Sequence, residues 1–123
     1  CDWLSVAVGS IHGAIADGVR NQKKPEARLD IQHIADLSKI TGIPLVLHGG
    51  MGLTETDFRT CLANGIQKIN IATASYDASA AKIKEVAAAN PQAKYFDFSD
   101  AIVQGTYENV KKHMHIFGLE HKA

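Results

Sequence analysis

Three short runs of apolar residues stand out along the chain, and each predicts a buried strand. They are residues 3–8 (WLSVAV), 44–47 (PLVL) and 68–71 (KINI). Polar and apolar positions scarcely alternate within them, which is typical of strands that are covered on both faces. This pattern favours a parallel sheet.

Helical signals lie between the predicted strands. Asp30 and Gly42 are suited to begin and end a first helix, because Asp is a good N-cap and Gly is a good C′ residue. Thr54 and Asp57 resemble a capping box at the start of a second helix, which should end near Asn64.

A third and a fourth helix are predicted from apolar periodicity. The third should end at Asn90, which precedes a proline, and the fourth should run from about Ser99 to Gly118. The stripes expected to face the core are Tyr76, Ala80, Ile83 and Ala87 in the third helix and Val103, Tyr107, Val110, Met114 and Phe117 in the fourth.

The order of these elements predicts an α/β protein with parallel strands joined by right-handed helical crossovers. Three strands leave two edges of a sheet unpaired, and a closed barrel of eight strands needs roughly 250 residues. No repeat or linker divides the sequence. We therefore expect residues 1–123 to form one domain that is an incomplete part of a larger fold.

Composition and charge narrow the function classes. Thirteen Lys and Arg residues balance thirteen Asp and Glu residues, so no net charge attracts nucleic acid or an anionic membrane. No apolar run reaches the ~18 residues of a membrane-spanning helix. Cys1 and Cys61 suggest no disulfide framework, which fits a reducing compartment. We expect a cytoplasmic protein whose partner is a small molecule or another protein chain.

Two histidines directly follow predicted strands. His12 and His48 each lie just past the carboxyl end of a strand, where parallel βα proteins bind ligands. One such histidine alone is more often a buried imidazole bonded to the backbone. Two on neighbouring strands favour a shared zinc ion, although a catalytic zinc site takes three protein ligands and one is therefore missing.

Glycine-rich loops and a helix start supply a candidate phosphate site. Gly13, Gly49 and the glycines near them allow backbone amides to turn toward an anion, and Thr73 begins a helix whose first amides would add to such a site. Tight turns between strands and helices account for the same glycines equally well. Asn70 would add a neutral amide that binds a substrate hydroxyl or oxyanion.

Three ordered segments resemble motifs of the class II, zinc-dependent ketose-bisphosphate aldolases, which include fructose- and tagatose-bisphosphate aldolases. They are residues 4–13 (LSVAVGSIHG), 43–52 (IPLVLHGGMG) and 65–73 (GIQKINIAT). The resemblance covers essentially the whole chain. It implies a (β/α)8 TIM barrel in which residues 1–123 are the C-terminal part, comprising the last three strands, their helices and a terminal helix.

Carried over residue by residue, the resemblance implies a metal site beside a phosphate site. His12 and His48 match two of the three zinc ligands of the family, and Gly13 and Gly49 match phosphate contacts. Backbone carbonyls around Ile11, Gly13 and Gly49 would form a site for a monovalent cation, Na⁺ or K⁺.

The resemblance also implies how the substrate is held. Asn70 matches a catalytic residue that contacts the ketose near its reacting centre, and Thr73 matches a phosphate contact. Ala72 gives the NxAT form, which resembles the tagatose-bisphosphate side of the family. Met51 departs from the family pattern, because the usual residue is a serine whose hydroxyl binds phosphate and a methionine cannot donate that bond.

The function that the resemblance implies is cleavage of a ketose 1,6-bisphosphate to dihydroxyacetone phosphate and an aldehyde, as in glycolysis. The third zinc histidine and a catalytic aspartate belong to an earlier strand of the family, so we expect residues 1–123 alone to be inactive and the rest of the barrel to complete a homodimeric or tetrameric enzyme. The alternative is a non-catalytic half-barrel that binds phosphate or acts as a scaffold. Another zinc-dependent TIM-barrel hydrolase would need a bridging carboxylate at a strand end, and the sequence offers none.

Overall fold

The structure, a computed structural model, describes residues 1–10 and 28–119. Its internal contacts divide the chain into two compact units, Cys1–Ile71 and Ala72–Ala123. Each unit buries its own apolar side chains. A single barrel domain over residues 1–123 stays a prediction.

The first unit is built on a three-stranded parallel sheet with the strand order β1-β2-β3. The strands are β1 (Leu4–Ser5), β2 (Leu45–His48) and β3 (Ile66–Asn70). The pairing aligns the last residues of β2 and β3, so that His48 is the partner of Asn70. The parallel sheet predicted from the three apolar runs is confirmed.

Strand β3 carries one extra residue near its start. Leu45 pairs with Ile66 whereas Val46 pairs with Lys68, so Gln67 is the residue that the register skips. A bulge of this kind offsets one strand by a single position relative to its neighbour. Beyond it, the pairing continues without a further shift to the ends of both strands.

Helices α1 (Ile31–Thr41) and α2 (Glu55–Ala63) connect the strands, and both begin where the sequence predicts. The Asp30 carboxylate accepts a hydrogen bond from the backbone N–H of His33 at 2.9 Å. The capping box of α2 is formed in full by Thr54 and Asp57. These bonds satisfy N–H groups that have no partner within the helix, which stabilises each start by about 1 kcal/mol.

The core of the first unit lies between the sheet and its helices. Strands β2 and β3, helices α1 and α2 and the segment after β1 all contribute buried side chains to it. Each fully buried aliphatic side chain contributes roughly 1.5–3 kcal/mol to the free energy of unfolding. The buried cluster consists of Val8, Ile34, Leu45, Leu47, Cys61 and Ile66.

The second unit consists of helices α3 (Thr73–Ala89) and α4 (Tyr95–Ile116), which pack closely together. The contact depends on small residues, because a Cβ atom on Gly105 would lie 2.7 Å from the carbonyl oxygen of Ala78. The hydroxyl of Ser79 donates to the carbonyl of Ile102 at 3.2 Å and lies 3.0 Å from the hydroxyl of Thr106.

The predicted inward stripes of these two helices are wrong for most of their residues, since Ile83 and Phe117 alone among them are half-buried. Tyr76 of α3 is 71% exposed and Tyr107 of α4 is 57% exposed, and Val103, Val110 and Met114 are exposed as well. Close approach of two backbones requires small side chains, so the small-residue face of each helix packs inward in place of the apolar stripe. The buried residues of these two helices are Ser79, Ala101, Gly105 and Ile116.

Several predicted boundaries also need correction. Strand β1 is shorter than residues 3–8, and Trp3 is 51% exposed rather than buried. Strand β3 begins two residues earlier than predicted, because Ile66 still pairs with Leu45 on the far side of the skipped Gln67. Helix α4 begins at Tyr95 and not at Ser99, since the Asp97 carboxylate accepts a 2.7 Å hydrogen bond from the backbone N–H of Lys94. Within residues 1–10 and 28–119, no helix has the length and apolar character to span a membrane.

Candidate functional site

The structure brings two candidate residues together at the carboxyl edge of the sheet. His48 ends β2 and Asn70 ends β3, and both side chains are half-buried. The amide Nδ2 of Asn70 lies 2.7 Å from Nε2 of His48. Because an amide nitrogen only donates, Nε2 accepts this hydrogen bond through its lone pair. The imidazole therefore presents the kind of nitrogen that binds a metal ion.

A lysine completes this arrangement on the same strand. Nζ of Lys68 donates a 2.7 Å hydrogen bond to Oδ1 of Asn70. Residues i and i+2 of a strand share a face, which places Lys68 next to Asn70. Both polar atoms of the Asn70 amide are thus engaged, one by a cation and the other by His48.

Sequence reasoning missed Lys68 as a site residue. It treated the residue only as the start of an apolar run, although its i, i+2 spacing from Asn70 was a readable signal.

The loop after β2 has a tightly defined backbone. Gly49 and Gly52 have φ angles of 75° and 84°, which lie in the left-handed region that favours glycine. A Cβ atom on Gly50 would lie 3.1 Å from Cζ of Phe58, a buried residue of α2. Met51 is half-buried in this loop. These glycines have a turn and packing role in the structure, and a phosphate role for Gly49 and Met51 stays a prediction.

The start of α3 belongs to the second unit. Thr73 is the first residue of the helix, as the sequence predicts. The preceding Ala72 makes no side-chain cap, and its carbonyl accepts hydrogen bonds from the backbone N–H groups of Ser75 and Tyr76 at 2.9 and 3.2 Å. A long helix without a side-chain cap leaves its first amides available to an anion or to water.

Residues 1–122 match the protein family described as fructose-bisphosphate aldolase class-II. The chain belongs to this family. The resemblance seen in the three sequence motifs is thereby confirmed, and so is the fold, because the parallel sheet and its helices correspond to part of an aldolase (β/α)8 barrel.

Individual relatives give the same result. A "Probable fructose-bisphosphate aldolase" of Bacillus subtilis is 37% identical over 90 residues, which cover 73% of this chain and 29% of the relative. A "Sulfofructosephosphate aldolase" of Alkalicoccus urumqiensis is 30% identical over 123 residues, covering 99% of this chain and 40% of the relative. The crystal structure of the YdjI aldolase of Escherichia coli K12 superposes with a TM-score of 0.79 at 27% identity, covering 100% of this chain and 41% of that one. The chain spans less than half the length of each of these aldolases.

Aldolases of class II are generally zinc-dependent, and the described residues offer one candidate ligand. His48 fits zinc, because zinc sites use neutral imidazole nitrogens. A metal ion on Nε2 would take the place of the hydrogen bond that Nε2 accepts here from Asn70. His12, Gly13 and Ile11 lie outside the described residues, so the convergence of the two histidines stays a prediction. Within residues 1–10 and 28–119, no three His, Cys, Asp or Glu side chains are grouped closely enough to hold a metal ion.

The buried cysteine is not a second reactive group. Cys61 lies in the core, and its thiol donates to the carbonyl of Phe58 at 3.2 Å. Removal from water raises the pKa of Cys61 to about 11, and the nearby carboxylate of Asp57 also raises it. A thiol with this pKa is not a nucleophile at neutral pH. The interpretation of Cys61 as a small core residue is consistent with its burial.

Proposed function

We propose that the protein containing this chain is a zinc-dependent aldolase that cleaves a ketose 1,6-bisphosphate to dihydroxyacetone phosphate and an aldehyde. The observation that carries the proposal is the direct contact of Asn70 with His48 at the carboxyl edge of the sheet, in a chain of the class II aldolase family. Ligand-binding groups of βα barrels lie at this edge. The reaction would take place in the cytoplasm, in an oligomer of the full-length chain.

His48 would hold the metal together with His12 and a third histidine from another part of the protein. When bound, zinc supplies a Lewis acid for the ketose carbonyl. Asn70 would donate a hydrogen bond from Nδ2 to a substrate oxygen on which negative charge develops during cleavage. A fixed donor at such a position stabilises the transition state more than the ground state.

The phosphate of the three-carbon product would be held by backbone amides and one hydroxyl. Gly13 and Gly49 would supply amides, and Thr73 would supply its hydroxyl and the positive end of the α3 dipole. The absence of a side-chain cap at Ala72 supports this role, because a cap would compete for the same amides. Carbonyls of the same loops would bind Na⁺ or K⁺.

Two residues bear on which ketose phosphate is the substrate. Met51 removes a phosphate-binding hydroxyl that the family pattern usually has, and Ala72 gives the NxAT form. Two of the three relatives are named "Probable fructose-bisphosphate aldolase" and "Sulfofructosephosphate aldolase". We therefore propose a six-carbon ketose phosphate, with tagatose 1,6-bisphosphate tested beside the fructose compound.

A non-catalytic phosphate-binding barrel is the second candidate, and Met51 is the observation that favours it. Both candidates predict binding of dihydroxyacetone phosphate. Only the enzyme predicts a zinc requirement for carbon–carbon cleavage.

The test uses the full-length protein purified without added metal chelator. We expect about one zinc per chain and cleavage of at least one ketose bisphosphate, lost on treatment with a chelator and restored by zinc. Binding of dihydroxyacetone phosphate without cleavage of the fructose, tagatose or sulfofructose substrate would favour the non-catalytic candidate.

A further inference from the structure

The side chain of Asn70 can adopt two orientations that differ in chemistry. Rotation of the amide by 180° exchanges its donor, Nδ2, and its acceptor, Oδ1. With Nδ2 toward His48 the residue donates at the site, and with Oδ1 toward His48 it accepts. The role of Asn70 in any reaction depends on which orientation is held.

Lys68 distinguishes between these orientations. Its ammonium group has three donors and no acceptor, so it can only bond to the amide oxygen. The 2.7 Å bond from Nζ to Oδ1 therefore fixes Nδ2 toward His48, whose Nε2 is 2.7 Å away. In the opposite orientation the NH2 group of Asn70 would face the ammonium, and two donors would lie against each other.

The charge environment of Lys68 supports this role. In the described part of the chain, the ion pairs join Arg59 to Glu55 and Lys82 to Glu85 and Glu108, and no carboxylate pairs with Lys68. Lys68 lies on the exposed face of β3 and its hydrogen bond goes to the neutral Asn70 amide. A charged donor makes a stronger hydrogen bond to an amide oxygen than a neutral donor does.

We propose that Lys68 is a positioning residue that holds the Asn70 amide with its donor directed into the site. The positioning itself follows from the geometry of β2 and β3. Its effect on turnover rests on the proposed function, in which Asn70 donates to a substrate oxygen.

The first test does not depend on activity. In metal-free, full-length protein labelled with 15N-histidine, at a pH where His48 is neutral, NMR reports which ring nitrogen carries the proton. We expect Nε2 of His48 to be unprotonated in the wild type. Lys68→Met should populate the tautomer with a protonated Nε2, and Lys68→Arg should restore the wild-type spectrum. Identical His48 spectra in the wild type and Lys68→Met would overturn the proposal.

The second test is a double-mutant cycle on the kcat of aldol cleavage. We expect Lys68→Met to lower kcat by about tenfold, the lower end of what loss of an outer-shell partner costs. Lys68→Arg should recover most of this loss, and KM should change little. The control is Lys84→Met, which makes the same change at an exposed lysine of α3.

The cycle is completed by Asn70→Ala and by the double variant. If Lys68 acts through Asn70, Lys68→Met has no further effect once Asn70 is removed. Independent, multiplicative losses would overturn the proposal, and melting curves of all variants exclude unfolding as the cause. If the wild type cleaves no ketose phosphate, the proposed function fails, and the NMR result alone decides the role of Lys68.

Discussion

Asn70 and His48, 22 positions apart in the sequence, touch through a 2.7 Å hydrogen bond between the ends of neighbouring strands. The contact is a consequence of parallel pairing, which brings the last residues of β2 and β3 side by side. It links the candidate metal ligand to the candidate substrate contact without any residue between them. A substitution of either residue should therefore alter the hydrogen bonding of the other.

The metal assignment predicts a specific effect of removing His48. His48→Ala in the full-length protein should lower zinc affinity by more than the roughly 10–100-fold that loss of an outer-shell partner costs, because a ligand itself is lost. Aldol cleavage should fall with zinc content. Metal analysis after gel filtration measures the first effect, and a coupled aldolase assay measures the second.

The control for this experiment is His33→Ala, since His33 is exposed on α1. This variant should keep its zinc and its activity. His12→Ala should behave as His48→Ala does. Wild-type zinc content in both the His12 and the His48 variant would refute the metal site.

A serine in place of Met51 should improve phosphate binding. Met51→Ser restores a hydroxyl to the loop after β2, and a hydrogen bond to a charged group contributes roughly 1.5–3 kcal/mol. We expect KM for the ketose bisphosphate to fall by about tenfold, with kcat little changed. Met114→Ser, at an exposed position of α4, should leave both constants unchanged. A higher KM for Met51→Ser would argue against a phosphate at this loop.

Gly105 should not tolerate alanine, although alanine is the better helix former. Propensity alone would stabilise α4 by about 1 kcal/mol. The added Cβ, however, would lie 2.7 Å from the Ala78 carbonyl oxygen and from Cα of Ser79, and backbone atoms cannot move aside as a side chain does. We expect Gly105→Ala to lower the free energy of unfolding by about 2 kcal/mol, measured by denaturant titration.

The matched control is Gln104→Ala on the same helix, an exposed residue whose side-chain amide donates to the Glu108 carboxylate. Its effect should stay within about 0.5 kcal/mol. A stabilised Gly105→Ala variant would show that α3 and α4 do not approach as closely as described.

The buried thiol of Cys61 predicts a loss of stability at high pH. Its pKa is raised from 9.0 to about 11 by burial, so the folded state keeps a proton that the unfolded state releases. The contribution of the protonated thiol to the free energy of unfolding is therefore complete below pH 9. It is lost between pH 9 and about 11, and the loss is at most about 3 kcal/mol. Denaturant titrations across this range should show a steeper decline for the wild type than for Cys61→Ala. Parallel curves for the two proteins would contradict the raised pKa.

Cys61 should also resist alkylation. Native protein treated with iodoacetamide at pH 8 should remain unmodified at Cys61, whereas protein unfolded in urea should react there. Peptide mass spectrometry distinguishes the two. Rapid labelling of the native protein would place the thiol at the surface.

Features that depend on neighbouring residues were predictable from the sequence. The caps at Asp30 and Thr54 and the helix end at Gly42 involve bonds over three or four positions, so both partners lie within a short stretch of sequence. The placement of His48 and Asn70 at strand ends followed from the apolar runs and the parallel topology. The contact between them also required that the two strands be neighbours and that the register skip Gln67, and the sequence pattern did not predict the skip.

Features that depend on distant partners were not predictable in this way. The inner face of α4 is selected by how closely α3 approaches it, and no periodicity within α4 indicates this distance. The proposed role of Lys68 depends on its hydrogen bond to Asn70. That bond orients the Asn70 amide toward His48, which lies on a different strand. His12 and Gly13 lie outside the described residues, so their roles are still predictions.

The skipped residue in β3 gives the site a dependence on strand length as well as on side-chain chemistry. With an uninterrupted register after Leu45, Ile69 rather than Asn70 would stand opposite His48, and an aliphatic group would replace the amide. Deleting Gln67, which has no proposed role in the site, would thus place Ile69 in the position opposite His48. Every proposed functional residue would still be present in the chain. Grafting this site onto another barrel would require transferring the irregularity together with the side chains.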